Sequence, residues 1–97
     1  EFEMKIYFII TELLNNIIKH SQASKATVNI QQKDLKLLIH ISDNGKGFDT
    51  RKPNVIEGFG INQIRARIDN MHGSITIDSK RNQGTSITLI VPTMPKK

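Results

Sequence analysis

The chain has 97 residues, a formal charge of +5 from fourteen basic and nine acidic side chains, and 37% hydrophobic residues, which suits one small domain with one core. It has no cysteine, excluding disulfides, a thiol nucleophile and thiolate metal sites, and no apolar run of membrane-spanning length or signal-peptide pattern. The basic residues are scattered, and one Tyr, four Phe and no Trp give little for base stacking, so a solvated basic surface outweighs a nucleic-acid interface.

Residues 4–20 read as a helix. Ile6, Ile10, Leu13 and Ile17 fall at helical spacing, widened by Ile9, Leu14 and Ile18. Glu12, Asn16 and Lys19 stack on one polar face, with His20 one step further round. After the polar break Ser21-Gln22-Ala23-Ser24, the alternation of Ala26, Val28 and Ile30 predicts a half-buried strand. Lys33-Asp34 then makes a tight link to a second strand over 35–42, so the two should form an antiparallel hairpin.

That second strand sends Leu35, Leu37, Ile39 and Ile41 to one face, and Asp43 is the next residue on the same face. A carboxylate thus occupies a core-facing position at a strand end, followed at once by Gly45 and Gly47. A buried carboxylate is costly unless a fixed group or a ligand satisfies it. From Asn44 to about Phe59 there is no periodicity, and a loop this long is functional or disordered.

A second helix opens at Ile61, with Ile64, Ile68 and Met71 on its stripe and Gly73 placed to terminate it. Ile75 and Ile77 mark a strand over 74–79. Residues 80–84 turn the chain, and Thr85, Ile87, Leu89 and Val91 alternate on a last strand closed by Pro92. Strand pairs separated by helices predict an α+β fold: a mixed sheet with helices on one face. The tail, 94–97, is expected to fray.

Each motif is weak alone. The Gly45/Gly47 pair is neither a dinucleotide fingerprint nor a P-loop, but after an inward Asp it suits a pocket. An ionised Asp43 only accepts hydrogen bonds, and an exocyclic amino group of a nucleobase fits it. The Glu12/Asn16/Lys19 face could be a solvated stripe. It also offers a hard oxygen for Mg²⁺, a mobile cation for phosphates and a candidate base. Gly58-Phe59-Gly60-Ile61 leads into a helix N-terminus, either a flexible entry or an anion site. Gly84-Thr85 alone is simply a turn. His20, His40 and His72 lack metal-ligand spacing, and no hydrolytic triad is suggested.

Together these segments resemble a known family. Residues 12–20, Glu-Leu-Leu-Asn-Asn-Ile-Ile-Lys-His, look like its N box. Asp43-Asn44-Gly45-Lys46-Gly47-Phe48 looks like its first glycine box, Gly58-Phe59-Gly60-Ile61 like the second, and Gly84-Thr85 like its last element. This is the pattern of the ATP-binding domain shared by gyrase, Hsp90, sensor histidine kinases and MutL. Ser-Gln-Ala after the N box, and Arg65-Ala66-Arg67, resemble the histidine kinases whose regulators carry helix-turn-helix output domains.

The resemblance implies a two-layer α/β sandwich of the Bergerat type holding Mg-ATP under a glycine-rich lid. By position, Asn16 would bind Mg²⁺, Glu12 would be the acidic group near the reacting phosphate, and Lys19 and His20 would contact phosphates. Asp43 would accept from the adenine amino group, with Thr85 in support, often through water. Gly45 and Gly47 would shape the adenine pocket, and Gly58 and Gly60 would let the lid close.

Ile61 stands where the family usually has Leu, and the aromatic lid box of larger histidine kinases is not evident. The chain starts inside the family's first helix, so its preceding strand and the dimerisation helices with the phosphoacceptor histidine are expected outside residues 1–97. A missing first strand would expose a sheet edge.

The resulting expectation is the catalytic domain of a two-component sensor histidine kinase. It would be a cytoplasmic domain of a parent that can be membrane-anchored, able to bind nucleotide but not to autophosphorylate alone. Its partners would be the parent's own dimerisation domain and a response regulator, not nucleic acid. The alternatives are an anti-sigma-type serine kinase of the same fold and a non-catalytic module that has lost ATP.

Overall fold

A computed structural model describes residues 2–20, 22–47, 60–80 and 82–93. Helix α1 (Phe2–His20) is followed by the hairpin β1 (Ala26–Lys33) and β2 (Lys36–Asp43). Helix α2 (Ile61–Asn70) and the hairpin β3 (Ser74–Ser79) and β4 (Thr85–Pro92) complete the described elements.

The strands form one sheet in the order β1-β2-β4-β3. Its three pairings are all antiparallel, so the described sheet is not mixed as expected. β2 and β3, joined through α2, do run in the same direction, but β4 returns between them and separates them. The α+β, two-layer arrangement otherwise holds.

The register lays the core out in rows. Ile39 pairs with Leu89 and Leu89 with Ile75; one row on, Ile41 pairs with Ile87 and Ile87 with Ile77. Ile6, Ile9, Leu13 and Ile17 of α1 and Ile64 and Ile68 of α2 pack with the central residues of these rows in a single cluster, which puts both helices on one face. The guanidinium of Arg67 on α2 sits 4.4 Å from the ring centroid of Phe8 on α1, a cation–π contact between the helices.

Two local expectations are corrected. β1 is exposed along its whole length, rather than half-buried: it is an edge strand. Val28 and Ile30 share the phase of Ile41 and Ile39, but they lie beyond the two central strands that the helix cluster covers. Leu35 is not inward on a strand but in the turn, 59% exposed, because Lys33 pairs with Lys36 and leaves only Asp34 and Leu35 to reverse the chain.

At the end of α2, His72 rather than Gly73 takes the left-handed conformation, at φ 61°. His72 N donates to Asp69 O and Gly73 N to Ile68 O, both at 3.0 Å, the paired bonds of a Schellman cap. Gly73 is needed for another reason: a Cβ there would lie 2.6 Å from Ile90 O on β4.

Candidate nucleotide site

The next row of the sheet breaks the apolar pattern. Asp43 pairs with Thr85 and Thr85 with Ser79, so three polar residues stand abreast at one end of β2, β4 and β3 on the core-facing phase. Thr85 and Ser79 are both buried. Asp43 Oδ1 accepts from Gly45 N at 2.7 Å, which turns the chain at the strand end. Among the described residues, Asp43 Oδ2 is buried with no hydrogen-bond partner. A buried lone acceptor is expensive, so this atom is the clearest mark of a site built for a donor.

The Thr85 hydroxyl lies 2.8 Å from Ser79 Oγ, and Ser79 Oγ donates to Gly84 O at 3.2 Å. Ser79 went unnoticed in the sequence. Its signal was phase: it follows Ile75 and Ile77 at two-residue spacing, as Asp43 follows Ile39 and Ile41. Asn44, so far only a member of the first glycine box, holds the loop in place. Its Oδ1 accepts from Ser24 N and Lys25 N, both at 3.0 Å, and its Nδ2 donates to Ser24 Oγ at 2.9 Å, anchoring the exit from β2 to the segment after α1.

Two glycines press the loop after β2 against the β3–β4 turn. Gly47, at φ 63°, leaves no space for a Cβ, which would lie 2.0 Å from Lys80 O; Gly84, at φ 78°, would place one 2.2 Å from Asp43 O. Lys46 O accepts from Asn82 N across the same seam. Gly45 is buried and holds the Asp43 carboxylate through its N–H.

A recess of about 280 Å³ opens at the strand ends, lined by Ser42, Asp43, Asp78, Lys80, Gln83, Gly84, Thr85 and Ser86. It takes in Asp43 and Thr85 together with Ser42, Ser86 and Asp78, a register row on the opposite phase of the strands, and includes none of the polar face of α1. There Glu12 and Lys19 are exposed and Asn16 is half-buried. Asn16 meets the second glycine box instead: its Nδ2 is 3.7 Å from where a Cβ of Gly60 would stand. Gly60 is the N-cap of α2, at φ 69° and without a side-chain cap, so the opening turn of α2 lies beside Asn16. The structure thus describes two ends, Asp43–Thr85–Ser79 and Asn16–Gly60. Gly58, the lid and the side chain of His20 lie outside the described residues.

Solved histidine kinases contain this fold. Acinetobacter baumannii histidine kinase AdeS superposes with a TM-score of 0.77 at 20% identity, covering 93% of this chain and 46% of that one. The Erythrobacter litoralis EL346 blue-light activated histidine kinase gives 0.77 at 15% identity, covering 92% and 30%. Residues 2–95 match the family described as histidine kinase-, DNA gyrase B-, and HSP90-like ATPase, and the chain belongs to that family.

Among similar proteins, the signal transduction histidine-protein kinase/phosphatase DegS of Bacillus subtilis (strain 168) is 38% identical over 95% of this chain and 24% of its own length. Sensor histidine kinase LiaS of the same strain is 33% identical over 98% and 26%. The oxygen sensor histidine kinase NreB of Staphylococcus carnosus (strain TM300) is 32% identical over 95% and 26%. The chain therefore spans about a quarter of the length of these relatives. No helix among the described residues is long and apolar enough to cross a membrane.

Proposed function

We propose that this chain is the Mg-ATP-binding catalytic domain of a two-component sensor histidine kinase. It would present the γ-phosphoryl group to a histidine on the dimerisation domain of its parent protein, for onward transfer to a response regulator. One observation carries the nucleotide reading: the buried, unpartnered Asp43 Oδ2 directly opposite Thr85. An adenine amino group would supply the donor this oxygen lacks.

The phosphate end follows from α1 and α2. Asn16 offers a carbonyl oxygen, a hard ligand for Mg²⁺, and stands beside the start of α2, a helix N-terminus whose dipole favours anions. Among the described residues no cluster of three or more His, Cys, Asp or Glu could hold a metal, so the cation would rely on Asn16, phosphate oxygens and water. When bound, Mg²⁺ supplies charge neutralisation on the phosphates. Lys19, one turn from Asn16, would hold the phosphates, and Glu12 would orient the reacting group. Phosphoryl transfer needs positioning and charge compensation more than covalent chemistry, which suits a face with few reactive groups.

The test is titration calorimetry with a non-hydrolysable ATP analogue, with and without Mg²⁺. Saturable binding that tightens with Mg²⁺ is expected. No binding in either condition would sink the proposal and favour a module without nucleotide.

A further inference from the structure

The hydroxyl pair behind Asp43 has a direction. Ser79 Oγ is 3.2 Å from Gly84 O and 2.8 Å from Thr85 Oγ1. A carbonyl oxygen can only accept, and a serine hydroxyl has one proton. With that proton given to Gly84 O, the bond between the hydroxyls requires Thr85 to donate to Ser79. Thr85 Oγ1 then presents lone pairs alone. Because Thr85 stands directly opposite Asp43, the base-reading end of the sheet shows two acceptors side by side: Asp43 Oδ2 and Thr85 Oγ1.

We propose that Ser79 is a specificity-determining positioning residue that acts through Thr85, fixing its hydroxyl as an acceptor and so selecting 6-aminopurine over 6-oxopurine nucleotides. This rests on the nucleotide reading of the site. A 6-amino group brings two N–H donors, and a water beside it can donate both to Thr85 and to the ring nitrogen. A 6-oxo group brings only lone pairs and meets two acceptors. Sites that must leave polar groups unpaired against the wrong substrate discriminate strongly. If Ser79 loses its hydroxyl, the Thr85 proton is released and can turn towards a 6-oxo group.

The experiment compares dissociation constants for ATP and inosine triphosphate, each with Mg²⁺, by calorimetry. Wild type is expected to prefer ATP. Ser79→Ala should lower that preference about fivefold to tenfold, the size of one hydrogen bond changing sides. Ser79→Thr, which keeps the hydroxyl, should restore it. Ser79→Cys, close to serine in volume but a poor donor, should shift it in the same direction as alanine. On a Thr85→Val background, Ser79→Ala should leave the ratio unchanged, because the group it acts through is gone.

An equal loss of affinity for both nucleotides in Ser79→Ala would show a merely structural role and overturn the inference, as would an unaltered ratio. Wild type that binds neither nucleotide would instead remove the nucleotide reading itself.

Discussion

Thr85 stands directly opposite Asp43 in the β2–β4 register, yet its hydroxyl is committed to Ser79, and Asp43 Oδ2 stays buried without a partner. A carboxylate oxygen held this way is poised for binding, not for stability, and the two properties can be separated by substitution.

Asp43→Asn keeps the shape and an oxygen for the Gly45 N–H but removes the charge. ATP affinity should fall about tenfold to a hundredfold, the range for a hydrogen bond to a charged group. The melting temperature without nucleotide should hold or rise, since an unpaired buried carboxylate oxygen is gone. Calorimetry and a thermal melt on one preparation check both. Asp43→Ala should weaken ATP at least as much.

Asn16→Ala should abolish the Mg²⁺-dependent part of ATP binding while adenosine binding persists, because Asn16 stands at the α2 end and not among Asp43, Thr85 and Ser79. Chelating Mg²⁺ with EDTA should give wild type the same ATP affinity as the variant. Equal loss of ATP and adenosine would mean the variant is misfolded.

The glycines should divide by environment. Gly47→Ala and Gly84→Ala each force a Cβ onto a backbone oxygen at positive φ, at 2.0 Å and 2.2 Å. Each should cost about 2 kcal/mol or more and lower the melting temperature by roughly 8 °C or more. Gly60→Ala meets its nearest atoms only at 3.6 and 3.7 Å and should bear the conformational cost alone, about 1 kcal/mol. Differential scanning calorimetry of the three variants tests the order.

His72→Gly should stabilise. His72 holds a left-handed conformation at the Schellman position, where glycine avoids the Cβ penalty. A gain of about 0.5–1 kcal/mol is expected, a rise of a few degrees in melting temperature, with nucleotide affinity unchanged.

What the sequence disclosed tracks what local pattern can encode. Period-2 phase placed Asp43 and Thr85 on the core side, and the register confirms it. The same logic applied to Ser79, but a serine closing a strand beside a turn has an ordinary local explanation, so its burial had to be seen. Phase alone also cannot say what covers a face. Val28 and Ile30 alternate like core residues yet lie on an edge strand. Strand order is non-local too: a return strand inserted between β2 and β3 turns an expected mixed sheet into an antiparallel one. Gly73 ends α2 as expected, through its N–H to Ile68 O, but the positive φ falls on His72, because glycine serves either positive φ or close approach and composition does not tell which.

The polar row gathers Asp43 from the first hairpin and Thr85 and Ser79 from the second. On the proposed function, no contiguous segment can therefore recognise a base, and recognition would exist only after the two halves of the chain have zipped along β2 and β4. Such long-range pairing is slow to form. If it completes after the rate-limiting barrier, nucleotide can grip only molecules already past it. Bound ATP would then lengthen the lifetime of the native chain against unfolding while leaving its refolding rate untouched. On this argument the ligand acts as a lock on the finished sheet rather than as a template for building it.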